Sequence, residues 1–569
     1  MENRALLALA LSFLIFIGFI YFGGIMRPIT TPEAPAPQAE VKPATPAPVP
    51  ASPPEARPAP PPSRPTHPSR DIIVETPLYK AVFSERGGAL KSFQLKKYRE
   101  SLPFTTLKRF QLGPVDFEVQ RYQDPKQEGA SLKELVRVKK GGELPLTLSW
   151  EGQNLKVPGQ TLYHASQTSL TLKPGQTASL KFTGVSPEGV VFTKDFTFKS
   201  DSYAFDLAVK LENRTKQGLE GQLDLDLLVN FEGMETGQSG FLGFHGSINN
   251  RLEELKTGSL KDLKPTPGQK TFTGKVDWAG LDEGYFLAAL VPLAAPKAVL
   301  TVKEALPGPM DVVLRTPATL APGQDASLSY TLYFGPKELS DLKSLNLGLE
   351  KVVDFGWFQF LGVPLLNILK FFDRYVHNYG WAIIILTILI RVLFFYPNHK
   401  SYKSMKDMQK LQPKVAKLRE KYKDDKETMN KELMALYRTF KVNPLAGSCL
   451  PMLLQLPFFI ALYNVLGYAI ELRHAPFIST IPFTDIVWIA DLSSKDPLLI
   501  TPLIMGATMF VQQKMTPSPG DPAQAKMMMF LPLIFTFIFL NFASGLVIYW
   551  LVNNVLSIIQ QHYTNKYLT

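Results

Sequence analysis

Apolar runs long enough to cross a bilayer stand at the extreme N-terminus of this chain and again from about residue 381 onward, while the long stretch between them has none. One packed core cannot serve such a chain: its two ends need lipid, and its middle must fold in water. The averages, 45% hydrophobic and 20% charged residues over 569 positions, conceal this division because a soluble protein gives similar figures. The single cysteine, Cys449, excludes an intrachain disulfide, so the middle region must rely on its own core.

Residues Ala5 to Gly24 have spanning length and are preceded only by Glu2, Asn3 and Arg4 after the initial Met. A cleaved signal peptide is the rival reading, but Phe22-Gly23-Gly24-Ile25-Met26-Arg27 offers a poor cleavage site. The expectation is therefore a signal anchor over 1–27. A Pro/Ala-rich linker follows over 28–70, with too few large apolar residues to pack. From 71 to 345 the pattern changes to period-2 alternation, as in Phe205-Asp206-Leu207-Ala208-Val209, broken by turn signals such as Gly87-Gly88, Pro174-Gly175 and Pro322-Gly323. This predicts a large antiparallel sandwich.

The segment 350–374 is rich in Phe and Leu, with charges near its ends, and reads as an amphipathic helix at the membrane interface; a buried core helix is the alternative. Five further spans are expected within 381–562, at about Trp381–Tyr396, Leu445–Tyr468, Pro497–Gln513, Met527–Asn541 and Gly545–Gln560. Loop charge sets their direction. The loop 398–441 holds 13 Lys and Arg against 6 Asp and Glu, a net +7, and should be cytoplasmic. The loop 471–496 has two basic residues against four acidic ones and belongs on the opposite side, and 514–526 returns to the cytoplasm. Counting outward gives six spans, both termini in the cytoplasm with a short tail at 563–569, and the strand-rich domain exported.

Arg391 sits inside the second span, seven residues before Asn398 and so roughly 10 Å deep at about 1.5 Å per residue. Thr387 shares its face. A charge at that depth costs at least about 2.5 kcal/mol unless it finds water or a partner. Two readings are open: snorkelling to the cytoplasmic headgroups, or a water-filled, positively charged recess. The predicted spans hold no acidic residue to neutralise it, which favours the recess. Gln455, Asn553, Asn554 and Ser557 are among the polar residues of the later spans, each equally suited to interhelical hydrogen bonding.

The cytoplasmic loop reads as a helical hairpin, arms Lys400–Tyr422 and Lys426–Phe440, with apolar positions at helical spacing. Packing of the arms and docking of a substrate or ribosome can coexist there; Lys403, Met408, Leu411, Pro413 and Tyr437 are its candidate contact residues. Met527, Met528 and Met529, with Met505, Met509 and Met515, give a flexible apolar group suited to packing or to varied hydrophobic partners. HExxH, Walker A and GxSxG motifs are missing, and seven scattered histidines show no metal spacing. Neither an enzyme nor a cofactor is expected.

The run Lys441-Val442-Asn443-Pro444-Leu445-Ala446-Gly447-Ser448-Cys449-Leu450-Pro451, then Gln455-Leu456-Pro457-Phe458-Phe459-Ile460-Ala461-Leu462-Tyr463, resembles the third-span signature of the YidC and Oxa insertases. Ser544 to Asn554 resembles their last span, and Thr76 to Phe93 the start of the periplasmic domain of Gram-negative members. The resemblance implies a β-supersandwich periplasmic domain, a five-helix core with a cytoplasm-facing hydrophilic groove, and substrate helices moving along its lipid side. It implies an inner-membrane insertase and chaperone for nascent membrane proteins, acting alone or with the Sec translocon, and in contact with ribosome, signal-recognition machinery and lipid. By motif position Arg391 is the groove arginine, Thr387 its neighbour, and Trp550 stands where relatives often carry tyrosine. Gln455 and Asn554 complete the expected groove set. The tail His562 to Thr569 lacks the basic extension many relatives use near the ribosome, which weakens that docking route.

Two rivals make different demands. A small-molecule transporter would show inverted repeats and a midplane site, and no repeat is visible. A sugar-active enzyme tethered by spans would need convergent carboxylates with a histidine in the exported domain; His164 and His245 alone do not supply that.

Overall fold

The computed structural model describes residues 69–567 apart from 113–114, 123–130, 139–140, 153–154, 233, 235–240, 262, 264–265, 294–297, 306–307, 424, 441–443 and 517–521. The expected anchor at 1–27 and the linker up to residue 68 lie outside the described residues.

Sheets of five, nine and six strands form the strand-rich domain. The alternation that marks 205–212 becomes the strand Ala204–Asn213, central in the nine-stranded sheet between Val190–Lys199 and Asp325–Pro336. Its inward residues build the core. Phe83 and Phe93 of the five-stranded sheet meet Phe196 at 4.8 Å and Phe334 at 5.3 Å across the interface, and Phe244 meets Phe272 of the six-stranded sheet at 5.7 Å. Gly87 lies at φ +76, a backbone state that disfavours side chains, where the chain turns between Tyr79–Ser84 and Ala89–Arg99. Pairing is antiparallel with one exception among the described strands: Asp71–Glu75 runs parallel to Ser169–Thr171, the long connection between them leaving room for a parallel return.

The helices begin with α1 (Leu339–Ser344) and α2 (Gln359–Val376). α2 is amphipathic: Leu365, Leu366 and Leu369 are buried while Phe360, Phe371 and Tyr375 are exposed. Then come α3 (Tyr379–Leu393), α4 (Phe395–Lys421), α5 (Lys426–Thr439), α6 (Pro444–Tyr468), α7 (Ile500–Met515), α8 (Pro522–Phe539) and α9 (Ser544–Tyr567). α9 thus carries the helix into most of the expected tail. Among the described residues no single helix is long and apolar enough to cross a membrane; α3 and α4 meet that test only together, bent by 63° at Phe394.

Residues 411–441 belong to a separate compact unit. There α5 is capped by Asp425, whose carboxylate accepts from the Thr428 N–H at 3.0 Å, and the Lys414 ammonium lies over the Phe440 ring.

Polar contacts join the sandwich to the larger helical region. Lys370 of α2 reaches Glu338 at 2.7 Å and Glu471 at 3.1 Å. Arg473 donates to the carbonyls of Arg99 and Glu100 at 2.9 and 3.0 Å, and the Tyr285 hydroxyl donates to Gly467 O at 3.2 Å.

Candidate functional site

α3 forms because its residues are almost continuously apolar after the Asn378 cap, whose side chain accepts from Trp381 N–H. Within it Thr387 is buried and donates to Ile383 O at 2.6 Å, so its hydroxyl is occupied by its own helix. One turn on, Arg391 is only 8% exposed. Its Nη2 donates to the Ser557 hydroxyl of α9 at 2.6 Å and to the Tyr402 hydroxyl of α4 at 3.2 Å, while Nε has no partner among the described residues. Among the described residues no carboxylate pairs with it.

α9 supplies a polar stripe because 553, 557, 560 and 564 recur at helical spacing. Asn553 accepts from Gln455 Nε2 of α6 at 3.3 Å. Ser557 donates back to Asn553 O at 2.7 Å, which leaves its oxygen to accept from Arg391. Gln560 donates to Phe395 O at 3.0 Å, Gln561 to Met515 O at 2.9 Å, and Thr564 lies 3.3 Å from His399. Asn554 is buried with its amide nitrogen unpartnered. The result is a permanent guanidinium among hydroxyls and amides, with donors and acceptors left over. That set can hold water or a polar chain.

Of the expected groove residues, Arg391, Thr387, Gln455 and Asn554 fall on or beside this stripe. Trp550 is half-buried and sits instead in an aromatic cluster, its ring 4.9 Å from Phe459, 6.1 Å from Phe535 and 5.1 Å from Phe539. Its neighbour Tyr549 is buried, with a hydroxyl that has no partner among the described residues. Ser557 and Tyr402 are functional candidates the sequence did not single out: Ser557 stood among many polar residues, and Tyr402 reaches Arg391 only because the chain bends after α3. The hairpin candidates divide, with Lys403 and Met408 on α4 in the larger unit, and Leu411, Pro413 (inside α4) and Tyr437 (on α5) in the smaller one.

In the sandwich, His245 lies 3.0 Å from Asp282 and 3.1 Å from Glu254. This is the carboxylate and histidine convergence that a sugar-active enzyme would need, but the imidazole is buried, Asp282 is fully so, and Lys337 closes on Asp282 at 2.9 Å. A buried, charge-matched cluster leaves no place for a sugar. His164 is exposed on a separate short strand.

Comparison with known proteins follows the same division. A family described as the 60Kd inner membrane protein matches residues 371–569, and one described as the YidC periplasmic domain matches 115–368. The membrane protein insertase YidC of Geobacter metallireducens is 41% identical over 574 residues, covering 100% of this chain and 98% of its own. That of Syntrophus aciditrophicus is 42% identical over 586 residues, covering 100% of each. Among solved structures, an active YidC insertase with its first transmembrane domain resolved aligns over 87% of this chain and 92% of its own, at 17% identity and a TM-score of 0.35. With the sandwich matching one part of the family, the helices the other, and relatives similar from end to end, this chain belongs to the YidC family of membrane protein insertases.

Proposed function

We propose that this chain inserts newly made proteins into the inner membrane through a cytoplasm-open hydrophilic recess centred on Arg391. The observation that carries the reading is a buried guanidinium held by two hydroxyls and by no carboxylate among the described residues. Buried cations are ordinarily paired, because an uncompensated one costs several kcal/mol. A cation without a counter-ion keeps its field for an incoming anion, so Arg391 draws in acidic flanks of a substrate while its apolar segment enters lipid. Apolar partitioning, worth about 25 cal/mol per Å² of surface buried, supplies the drive, and the recess lowers the barrier for polar flanks.

The reading includes six spans with both termini in the cytoplasm and the sandwich outside, supported by the net +7 of residues 398–441. It includes work alone or beside the Sec translocon, a chaperone role in folding, and contact of the basic hairpin with ribosome or signal-recognition machinery.

The test is reconstitution of the full chain into liposomes and measurement of protease-protected insertion of a one-span substrate with an acidic N-terminal tail. Protection above empty liposomes, with about tenfold loss in Arg391→Ala and little loss in Thr387→Ala, is the expected result, tenfold corresponding to about 1.4 kcal/mol. No protection by a folded wild-type protein would sink stand-alone insertion. Unchanged protection in Arg391→Ala would sink the role of the charge.

A further inference from the structure

One element of the exported domain belongs to none of its three large sheets. Among the described residues the strands Phe104–Leu112 and Val115–Tyr122 pair only with each other as a two-stranded sheet, apart from one isolated bridge between Arg121 and Ile486. They lie along the helical region. Tyr122 N–H donates to Asp485 O and Glu118 N–H to Pro497 O, both at 3.2 Å, and Arg121 pairs with Asp485 at 3.0 Å. Phe117 packs on Leu499 and Leu540. Leu499 immediately precedes α7 and Leu540 immediately follows α8, so the strand pair runs across the ends of two helices.

We propose that this strand pair is a lipid-binding foot, resting on the headgroup layer of the exported leaflet with Leu107 and Phe110 at the acyl boundary and Lys108 against lipid phosphate. The proposal rests on the span assignment above, which puts these helix ends at the outer membrane surface. The apolar surface is continuous: Phe110 stacks on Phe117 at 5.0 Å, so the strip runs from the buried helix ends out to a ring that is 43% exposed. A bulge between Thr106 and Lys108 leaves Leu107 without a cross-strand partner, and it is 52% exposed. The adjoining turn between Ile478–Thr480 and Val487–Ile489 presents Phe483, fully exposed and at φ +66. Singly scattered apolar residues need no explanation, but a strip continuous with the apolar ends of two helices assigned to the membrane does.

The charges complete the match. Arg109 is taken by Glu118 at 2.6 Å and Arg121 by Asp485, whereas Lys108 is exposed and has no ion-pair partner among the described residues. Aromatic and aliphatic side chains beside an unpaired ammonium are the chemistry that seats a segment in a phospholipid interface.

The test uses the full chain with Cys449→Ser, labelled with an environment-sensitive fluorophore at Leu107→Cys, at Leu533→Cys on the exposed face of α8, or at Lys173→Cys in a sandwich turn. Each is reconstituted into phosphatidylethanolamine and phosphatidylglycerol vesicles with brominated acyl chains. The Leu107 label should be quenched at least threefold more than the Lys173 label, more by shallow than by deep bromines, and Lys108→Glu should reduce that quenching about twofold. Leu107 quenching no greater than at Lys173, with Leu533 quenched, overturns the foot and leaves the span assignment standing. Loss at Leu533 as well overturns both. Shielding of Leu107 that grows with the protein-to-lipid ratio identifies a second copy as the occupant and also overturns the proposal.

Discussion

Lys194 in the sandwich and Arg391 in the helical region are both buried basic groups, and the fold treats them in opposite ways. Lys194 takes an inward position on Val190–Lys199 between Phe192 and Phe196, and its ammonium donates to the carbonyls of Gly87, Gly88 and Leu146. Three acceptors aimed at one donor group make it part of the tertiary structure. Arg391 has five N–H donors, and two hydroxyls engage only one of its nitrogens. Burial of a charge therefore does not by itself mark a site. The balance of partners around it does: a saturated cation holds the fold, and an undersaturated one has capacity for something else.

The contrast can be broken first at its structural end. Lys194→Met strands three buried carbonyls, each costing about 1–3 kcal/mol, so the sandwich should lose at least about 3 kcal/mol, measured by pulse proteolysis of the solubilised protein in urea. Burial also pushes the Lys194 ammonium down to about 7. Because the unfolded chain then binds the extra proton between pH 7 and the usual range near 10.5, wild-type stability gains a rising slope across that window, and Lys194→Met should remove it. An unchanged stability would mean that saturation does not matter.

At the other end, Ser557→Asp gives Arg391 the carboxylate it lacks. If the free charge matters, insertion in liposomes should fall about tenfold, or about 1.4 kcal/mol, with no loss of stability. Full activity in that variant would make the missing counter-ion irrelevant.

A smaller effect sharpens the comparison within the sandwich. Burial acts to lower the His245 pKa, but Asp282 and Glu254 outweigh it and hold the imidazole above its usual value. A group with a raised folded pKa stabilises fully below its unfolded value near 6.5 and loses that contribution as pH rises through the folded one. The stability difference between wild type and His245→Gln should therefore narrow above pH 6.5, by less than the Lys194 effect. A difference flat in pH would show that the imidazole is not charged.

Much of this organisation was legible before any coordinates. Alternation located strands such as Ala204–Asn213, Gly-containing turns located their connections, and Arg391 stood out because a charge interrupted an apolar run. What stayed hidden depended on distant partners. Lys194 looked like an ordinary strand lysine, because only the turn at Gly87 and the chain near Leu146 show which face it occupies. Ser557 was one polar residue among many until Arg391 chose it across 166 positions. Tyr402 was invisible because it returns to Arg391 through a 63° bend at Phe394; Pro397, whose ring would clash with the Leu393 carbonyl in an unbroken helix, marks that break in the sequence but not its direction. The Trp550 ring sits among three phenylalanines drawn from two other helices, which no linear motif specifies.

The joint at Lys370, Arg473 and Tyr285 has a mechanical consequence. Its bonds reach α2, the end of α6 and the segment that follows α6, and they arrive from three separate parts of the sandwich. A joint fastened through several separate chain segments resists rotation more than a single contact would. A large domain fastened to these helices adds its hydrodynamic drag to any rocking of them, so that slow reorientations are damped while side-chain motions around Arg391 proceed at their own rate.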